Sequence, residues 1–170
     1  MSDPRIEIHT GDITRLEVGA IVNAANERLA PGGGVCRAIH RAAGPDLTRE
    51  CASIGGCPTG EARITGGYAL PAKHVIHAVG PVWHGGGEGE AGRLAGCYRM
   101  SLELAKEAGL TSIAFPAIST GIFGYPVDQA ARGAIDTVSA WLAENDGLER
   151  VIFCVFGAEV ERAYRAALGG

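Results

Sequence analysis

The sequence lacks any apolar run long enough to span a membrane, and its first residues, MSDPRIEIHTGD, are too polar for a signal peptide. The five cysteines are odd in number, are scattered along the chain and include no CxxC pair. This pattern indicates neither a disulfide framework nor a zinc site, so reduced thiols in a cytoplasmic protein are the simplest interpretation.

An excess of basic residues is also missing, since the net charge is -4 and the pI is about 5.7. This balance argues against a broad electrostatic surface for DNA or RNA. It leaves room for a small anion, because backbone dipoles can hold one against an unfavourable net charge.

Apolar residues, at 46%, and glycine, at 26 residues, are abundant instead. A chain of 170 residues with this composition predicts one globular domain, 1–170, that buries roughly two-thirds of its unfolded surface. Much of the glycine is clustered, which indicates tight turns or a close approach of the backbone to a bound group.

Hydrophobic periodicity predicts strands that alternate with helices through most of the chain. The predicted strands are 6–8, 18–22, 61–65, 74–79, 112–115 and 151–156. The predicted helices are 35–43, 45–54, 94–108, 127–142 and 159–168. This order is typical of an α/β domain with a mostly parallel sheet, whose ligands bind beyond the carboxyl ends of the strands. The loops 23–34 and 116–125, which follow strands, are therefore the candidate binding segments.

These two loops share a design that suits an anion. The first carries Asn23 and Asn26 and then Gly32-Gly33-Gly34 directly before a helix, and the second combines hydroxyls with glycines and ends at Pro126. Neither matches the dinucleotide fingerprint GxGxxG or the phosphate loop GxxxxGK[ST], and each alone is equally typical of an ordinary glycine turn. Two such loops on one small sheet can grip two linked phosphates.

The second loop also imitates a nucleophile elbow, because Ala117, Ser119 and Gly121 approximate the spacing GxSxG between a strand and a helix. A serine esterase is therefore an alternative on motif grounds. Against it, no histidine follows Ser119, although the triad order of that fold requires one, and the first loop would have no role.

The histidines do not indicate a metal site. His74 and His77 flank an apolar strand at a spacing that puts them on opposite faces, and His9 and His84 have no acidic neighbours at ligand spacing. We expect no metal and no cofactor.

Several segments resemble the macro domain family. They are GDIT at 11–14, AIVNAAN at 20–26, GGGV at 32–35, AIHRAAGP at 38–45, CPTGEARIT at 57–65, LPAKHVIHAVGP at 70–81 and FPAISTGIFGYP at 115–126. The match covers nearly the whole chain, and the nearest branch includes O-acetyl-ADP-ribose deacetylases and mono-ADP-ribosyl hydrolases. The resemblance implies a three-layer α/β/α sandwich around a mixed, mostly parallel sheet of about six strands.

The resemblance also implies ADP-ribose as the ligand, with a role for each matched residue. Asp12, with Ile13 beside it, would accept a hydrogen bond from the adenine amino group, and Phe156 would lie against the adenine ring. Asn23 and Asn26 would face the distal ribose. The diphosphate would be held by Gly33, Gly34, Val35, Ser119, Thr120, Gly121, Ile122 and Phe123, with Phe123 also packing against the distal ribose.

One position departs from the hydrolytic branch, which usually has Asp where this chain has Cys36, followed here by Arg37. Only a thiolate is basic or nucleophilic, and a bound diphosphate favours the neutral thiol. His40 can share a helical face with Cys36, so a Cys–His nucleophile is one interpretation. We favour a Cys36 that lines the site and a His40 that packs or hydrogen-bonds there.

The sequence thus predicts an ADP-ribose ester hydrolase with Asn26, Cys36 and His40 as candidate catalytic residues. Asn26 would orient the distal ribose, the loops would fix the diphosphate, and an ordered water would attack the ester carbonyl. The substrate is O-acetyl-ADP-ribose or a mono-ADP-ribosylated protein, a choice that the sequence leaves open. The alternative is a non-catalytic ADP-ribose reader, since the usual carboxylate is missing.

Overall fold

A computed structural model describes residues 2–169 and contains a six-stranded sheet. The strands are β1 (Ile6–Thr10), β2 (Ala20–Ala24), β3 (Ala62–Gly66), β4 (His74–Ala78), β5 (Ser112–Phe115) and β6 (Arg150–Val155). Their order is β1-β6-β5-β2-β4-β3, and every neighbouring pair is parallel except β3 with β4. The expected mixed, mostly parallel sheet is confirmed.

The α-helices are α1 (Gly34–Ala43), α2 (Pro45–Ile54), α3 (Glu90–Glu107), α4 (Val127–Glu144) and α5 (Ala158–Gly169). Helices α1 and α2 pack on one face of the sheet, and α3, α4 and α5 pack on the other. The predicted α/β/α sandwich is therefore confirmed. Across residues 2–169, every helix is too short or too polar to cross a bilayer.

Most predicted boundaries lie within two residues of the observed ones, and α3 is the exception. It begins at Glu90, a full turn before the predicted start at Leu94. The prediction began at the first large apolar residue, whereas the helix already includes Glu90, whose carboxylate accepts backbone N–H groups of the preceding loop. A turn of 3-10 helix at Ile13–Arg15, capped by the side chain of Asp12, was not predicted either.

Alternation along the central strands gives each face of the sheet its own apolar core. Val22, Ile113 and Phe153 point toward α3, α4 and α5. Their chain neighbours Ile21, Ala114 and Ile152 point toward α1 and α2. Because both faces are covered, these strands appear in the sequence as continuous apolar runs rather than as alternating ones.

A row of packed aromatic rings lies in the core of the three-helix face. Ring centroids lie 4.9 Å apart for Tyr98 and Phe115, 5.8 Å for Phe115 and Phe153, and 5.3 Å for Phe153 and Tyr164. All four side chains are fully buried, and burial of a ring of this size contributes about 1.5–3 kcal/mol. The hydroxyl oxygens of Tyr98 and Tyr164 lie 3.4 Å apart, so each has a polar partner.

Pairing of β2 with β5 decides where a site can form. The two strands are parallel neighbours, so the loops that follow them leave the same edge of the sheet. From β2 the chain continues to β3 and β4 on one side, and from β5 it continues to β6 on the other. A crevice opens at such a reversal of direction, and ligands of α/β sheets bind there.

Candidate functional site

A cleft of about 790 Å³ lies at this edge, between the two glycine loops. Most of the sequence-predicted binding residues contribute to its walls. They are Asp12, Ile13, Asn26, Gly33, Gly34, Val35, Ser119, Thr120, Gly121, Ile122, Phe123 and Phe156, and Cys36 lies among them. The fold therefore brings together groups that are up to about 140 positions apart in the chain, from Asp12 to Phe156.

The side chain of Asn26 braces the first loop. Its Nδ2 donates to the carbonyl of Ala30 at 2.8 Å, and its Oδ1 accepts from the N–H of Ala30 at 3.1 Å. This pair closes a turn in which Leu29 takes a φ of 56°. One amide hydrogen and one lone pair of Asn26 are left to offer to a ligand.

Helix α1 begins where the first loop ends, and its start has no side-chain cap. Gly33 is the N-cap, and its carbonyl accepts the first intrahelical bond, from the N–H of Arg37 at 3.3 Å. The N–H groups of Gly34, Val35 and Cys36 therefore have no partner inside the helix. Together with the helix dipole they favour an anion in the cleft.

The second loop is held in a strained conformation by its own backbone. Ser119 has a φ of 69°, which is uncommon for a residue with a side chain. Its carbonyl accepts from the N–H of Tyr125 at 2.9 Å, and the carbonyl of Gly121 accepts from the N–H of Gly124 at 3.0 Å. Strain of this kind persists where the surroundings enforce it, and it is concentrated at functional sites.

The Ser119 hydroxyl is buried against Gly80, and within residues 2–169 it has no hydrogen-bond partner. A serine nucleophile is activated by a base within hydrogen-bond reach. This geometry does not support the serine esterase alternative, and Ser119 serves as part of the cleft wall.

Asp12 and Phe156 follow β1 and β6, which are parallel neighbours with Thr10 opposite Val155. Oδ1 of Asp12 accepts from the hydroxyl of Thr14 at 2.7 Å and from its N–H at 2.9 Å, and these bonds lower the pKa of Asp12. The carboxylate therefore stays ionised and can accept a hydrogen bond from an amino group. The side chain of Phe156 is 86% exposed and presents a flat apolar face beside it.

Cys36 lines the cleft from the first turn of α1. Its Sγ donates to the carbonyl of Ala30 at 3.7 Å and accepts from Nδ2 of Asn23 at 3.6 Å. These contacts hold the sulfur against the loop, which agrees with a lining role. Nδ1 of His40 instead lies 3.2 Å from the hydroxyl oxygen of Thr48, and the described hydrogen bonds include none between Cys36 and His40.

Asn23 and His40 lie outside the cleft wall, and the expectation that Asn23 faces the distal ribose stays a prediction. Asn23 follows Val22 in β2, so its side chain points to the opposite face, beneath α1, where it is fully buried. Its Nδ2 lies 3.0 Å from Nδ1 of His77 as well as near Cys36. Asn23 therefore supports the wall from behind.

His77 is the centre of this buried polar layer. Nδ1 of His77 lies 3.0 Å from Nδ2 of Asn23, and its Nε2 lies 3.0 Å from the hydroxyl oxygen of Thr65. Burial, reinforced by His40, lowers the pKa of His77 to about 4. Burial also lowers the pKa of His40 and raises the pKa of Cys51 to about 11, so the layer is uncharged at neutral pH.

His40, Cys51 and His77 also form a group that the sequence spacing did not indicate. Their nitrogen and sulfur atoms lie within 4.8 Å of one another, close enough to converge on a metal ion. Both nitrogens of His77 are engaged by Asn23 and Thr65, and Nδ1 of His40 by Thr48. Hydrogen bonds therefore account for the positions of these imidazoles, and we assign the cluster no metal.

Nine lining residues are absent from the predicted set, and five of them, Ala24, Ala25, Gly32, Pro116 and Ala117, lie within the two predicted loops. The other four are Gly11, Ala38, Cys154 and Val160. Cys154 precedes Phe156 by two positions in the same segment, so strand alternation was a usable signal for it. Val160 lies in α5, and nothing in its local pattern distinguishes it from other apolar helix positions.

Replacing His77 with glutamine tests the neutral imidazole. The folded state binds fewer protons than the unfolded state between pH about 4 and 6.5, so the free energy of unfolding falls as the pH drops through that window. The His77 contribution corresponds to roughly 3 kcal/mol. We expect His77→Gln to flatten this dependence, measured by urea unfolding across the window. His84→Gln, which removes an exposed imidazole, should keep the native slope, and an unchanged slope in His77→Gln would contradict the assignment.

Gly80→Ala tests the packing beneath the second loop. A Cβ at this position would lie 2.3 Å from Oγ of Ser119 and 2.5 Å from Cγ2 of Ile118. We expect a loss of about 1–3 kcal/mol in the free energy of unfolding and faster amide exchange in the second loop. Gly92→Ala, whose Cβ would meet no atom within 4 Å, is the control and should not lose stability. Equal urea midpoints for the two variants would rule out this contact as the constraint.

Comparison with known proteins agrees with this geometry. The family described as Macro domain matches residues 22–134. The chain is 54% identical over 166 residues to O-acetyl-ADP-ribose deacetylase of Klebsiella pneumoniae, which covers 95% of each chain. It is 54% identical over 154 residues to ADP-ribose glycohydrolase MACROD2 of Homo sapiens, covering 89% of this chain and 36% of that protein.

A solved structure gives the same answer for the fold. The macrodomain of Trypanosoma brucei in complex with ADP-ribose superposes with a TM-score of 0.92 at 44% identity, over 97% of this chain and 69% of that one. Both the sequence and the architecture are shared over most of the chain's length. The chain belongs to the macro domain family.

Proposed function

We propose that this chain binds ADP-ribose in the cleft and hydrolyses ester-linked derivatives of it, such as O-acetyl-ADP-ribose. The observation that carries the proposal is the order of chemical groups along the sheet edge. A carboxylate and an aromatic ring follow β1 and β6, and the two glycine loops follow β5 and β2. ADP-ribose presents an adenine, two linked phosphates and a second ribose in the corresponding order.

The adenine end is formed by Asp12 and Phe156. The ionised carboxylate accepts a hydrogen bond from the exocyclic amino group, and the exposed ring stacks on the base. Ile13, which is buried beside Asp12, supplies apolar contact at the same end.

The diphosphate lies between the two loops. The free N–H groups at the start of α1 donate to one phosphate, and the backbone of the second loop approaches the other from Ser119 to Phe123. Gly33 and Gly121 have open space where a Cβ would be, so backbone and oxyanion can come close. Backbone N–H groups can bind the diphosphate in this way although the net charge of the chain is negative.

Hydrolysis depends on positioning, because the first turn of α1 has no carboxylate to act as a general base. Asn26 directs its spare donor and acceptor to the distal ribose, and a water bound beside a substrate phosphate attacks the ester carbonyl. The new bond joins the water oxygen to the carbonyl carbon. The bond from that carbon to the ribose oxygen breaks, and the proton passes to the ribose. The names of the relatives, a deacetylase and a glycohydrolase, support a hydrolytic role.

A second candidate function is supported by Cys36 itself. With no carboxylate in the first turn of α1, the cleft can bind ADP-ribose without cleaving an ester.

The hydrolytic function has a second substrate class. Mono-ADP-ribosylated Asp or Glu side chains carry the same kind of ester bond as O-acetyl-ADP-ribose, so modified proteins are also substrates. We also propose that the protein is cytoplasmic. The five free thiols of residues 2–169 support this location.

Acetate release from O-acetyl-ADP-ribose, followed by proton NMR, tests the hydrolytic function. We expect turnover by the native chain, similar turnover by Cys36→Ala, and roughly tenfold or faster turnover by Cys36→Asp, because a carboxylate adds a general base. Cys57→Ala, which removes a buried thiol outside the cleft wall, is the control. Loss of turnover in Cys36→Ala alone would assign catalysis to the thiol, and tight ADP-ribose binding with no acetate from the native chain would identify a reader.

Phe156→Ala tests the adenine end separately from catalysis. Loss of ring stacking should weaken ADP-ribose binding by roughly 1–3 kcal/mol, which calorimetry would detect. Thermal stability should stay the same, because the side chain is 86% exposed. Ile54→Ala removes another exposed apolar side chain, away from the cleft wall, and should bind as the native chain does. Equal affinities in all three proteins would contradict the adenine assignment.

A further inference from the structure

Glu90, the first residue of α3, is a buried carboxylate that the proposed reaction does not use. Its side chain lies outside the cleft wall, and the residue is only 1% exposed. Its Oε2 accepts from the N–H of His84 at 2.8 Å and of Gly86 at 3.1 Å, and its Oε1 accepts from the N–H of Glu88 at 2.8 Å. One side chain therefore accepts hydrogen bonds from three backbone N–H groups of the segment 84–88.

Full charge on Glu90 is required for this arrangement. The N–H bonds, led by that of His84, lower the pKa of Glu90 to about 2. A carboxylate offers acceptors on both oxygens, whereas an amide replaces one of them with a donor that would face an N–H group. None of these contacts is a helix cap, because His84, Gly86 and Glu88 all precede α3.

The segment 84–88 follows Trp83, and Trp83 contacts the second loop. The backbone N–H of Trp83 donates to the carbonyl of Phe123 at 2.8 Å. The centroid of its ring lies 4.6 Å from that of the Tyr125 ring. Gly86 packs on the edge of the indole, where a Cβ would lie 2.8 Å from the ring. The segment therefore packs against the residue that contacts the loop.

The second loop is in turn fixed by the residues that Trp83 contacts. The N–H of Tyr125 donates to the carbonyl of Ser119 at 2.9 Å, which holds the positive φ of Ser119. Contacts thus run without a break from Glu90 through Trp83 to Phe123, Tyr125 and Ser119. Phe123 and Ser119 both line the cleft.

We propose that Glu90 is a positioning residue for the second glycine loop, acting through the segment 84–88 and Trp83. Its effect on the backbone of the loop is independent of any ligand. Its effect on affinity rests on the proposed function, since it requires that the loop hold the diphosphate of ADP-ribose.

Glu90→Gln is compared with Glu88→Gln, which removes the same charge from an exposed side chain of the same segment. Amide exchange measured without ligand should rise about tenfold in the segments around Trp83 and in the second loop, and stay unchanged in β6. Calorimetry should show ADP-ribose binding about tenfold weaker in Glu90→Gln than in Glu88→Gln. KM for the acetyl ester should rise, with kcat little changed at saturation.

Gly86→Ala provides a second route that leaves Glu90 intact. Its Cβ would meet the indole at 2.8 Å, and its φ of 90° disfavours any side chain, so the same exchange pattern should appear. Native-like exchange in the second loop of both variants would overturn the proposal, as would a uniform rise across the whole chain. If the native chain fails to bind ADP-ribose, the proposed function fails, and the exchange measurements alone decide the role of Glu90.

Discussion

The parallel pairing of β2 with β5 is the constraint on which the cleft depends. Ala20 lies opposite Ile113 and Ile21 opposite Ala114, so both strands end at one edge and their loops face each other. A slip of one residue would shift one loop by about 3.3 Å and turn Ile21 from one apolar core toward the other. The two apolar cores therefore fix the register of β2 with β5. This register places the two glycine loops opposite each other across the cleft.

Behind the first loop, the fold maintains a polar layer within an apolar core. His77 lies within hydrogen-bond distance of both Asn23 and Thr65, and burial keeps the imidazole neutral. The layer reaches the cleft through Cys36, whose sulfur lies between the amide of Asn23 and a loop carbonyl. A thiol tolerates this neutral setting well. A carboxylate in its place would gain the Asn23 donor and would also face the carbonyl of Ala30.

Much of this arrangement was predictable from the sequence, because apolar periodicity and glycine clusters are local signals. The strand order along the edge was not predictable, because it depends on which strands pair. The antiparallel direction of β3 was not predictable either, since no local sequence pattern indicates it. Alternation from Val22 could have put Asn23 on the face under α1, but its complete burial depends on packing by helices distant in sequence. The role of Glu90 was invisible because its partners are backbone N–H groups, which every sequence contains.

We infer that two loops on adjoining parallel strands bind two linked phosphates. Calorimetric titration of the native chain with ADP-ribose, ADP and AMP tests it most directly, because these ligands share the adenine end and differ in the diphosphate. We expect one-to-one binding of ADP-ribose and of ADP, and AMP binding weaker by roughly tenfold or more. AMP binding as tightly as ADP-ribose, or no binding of ADP-ribose at all, would contradict it.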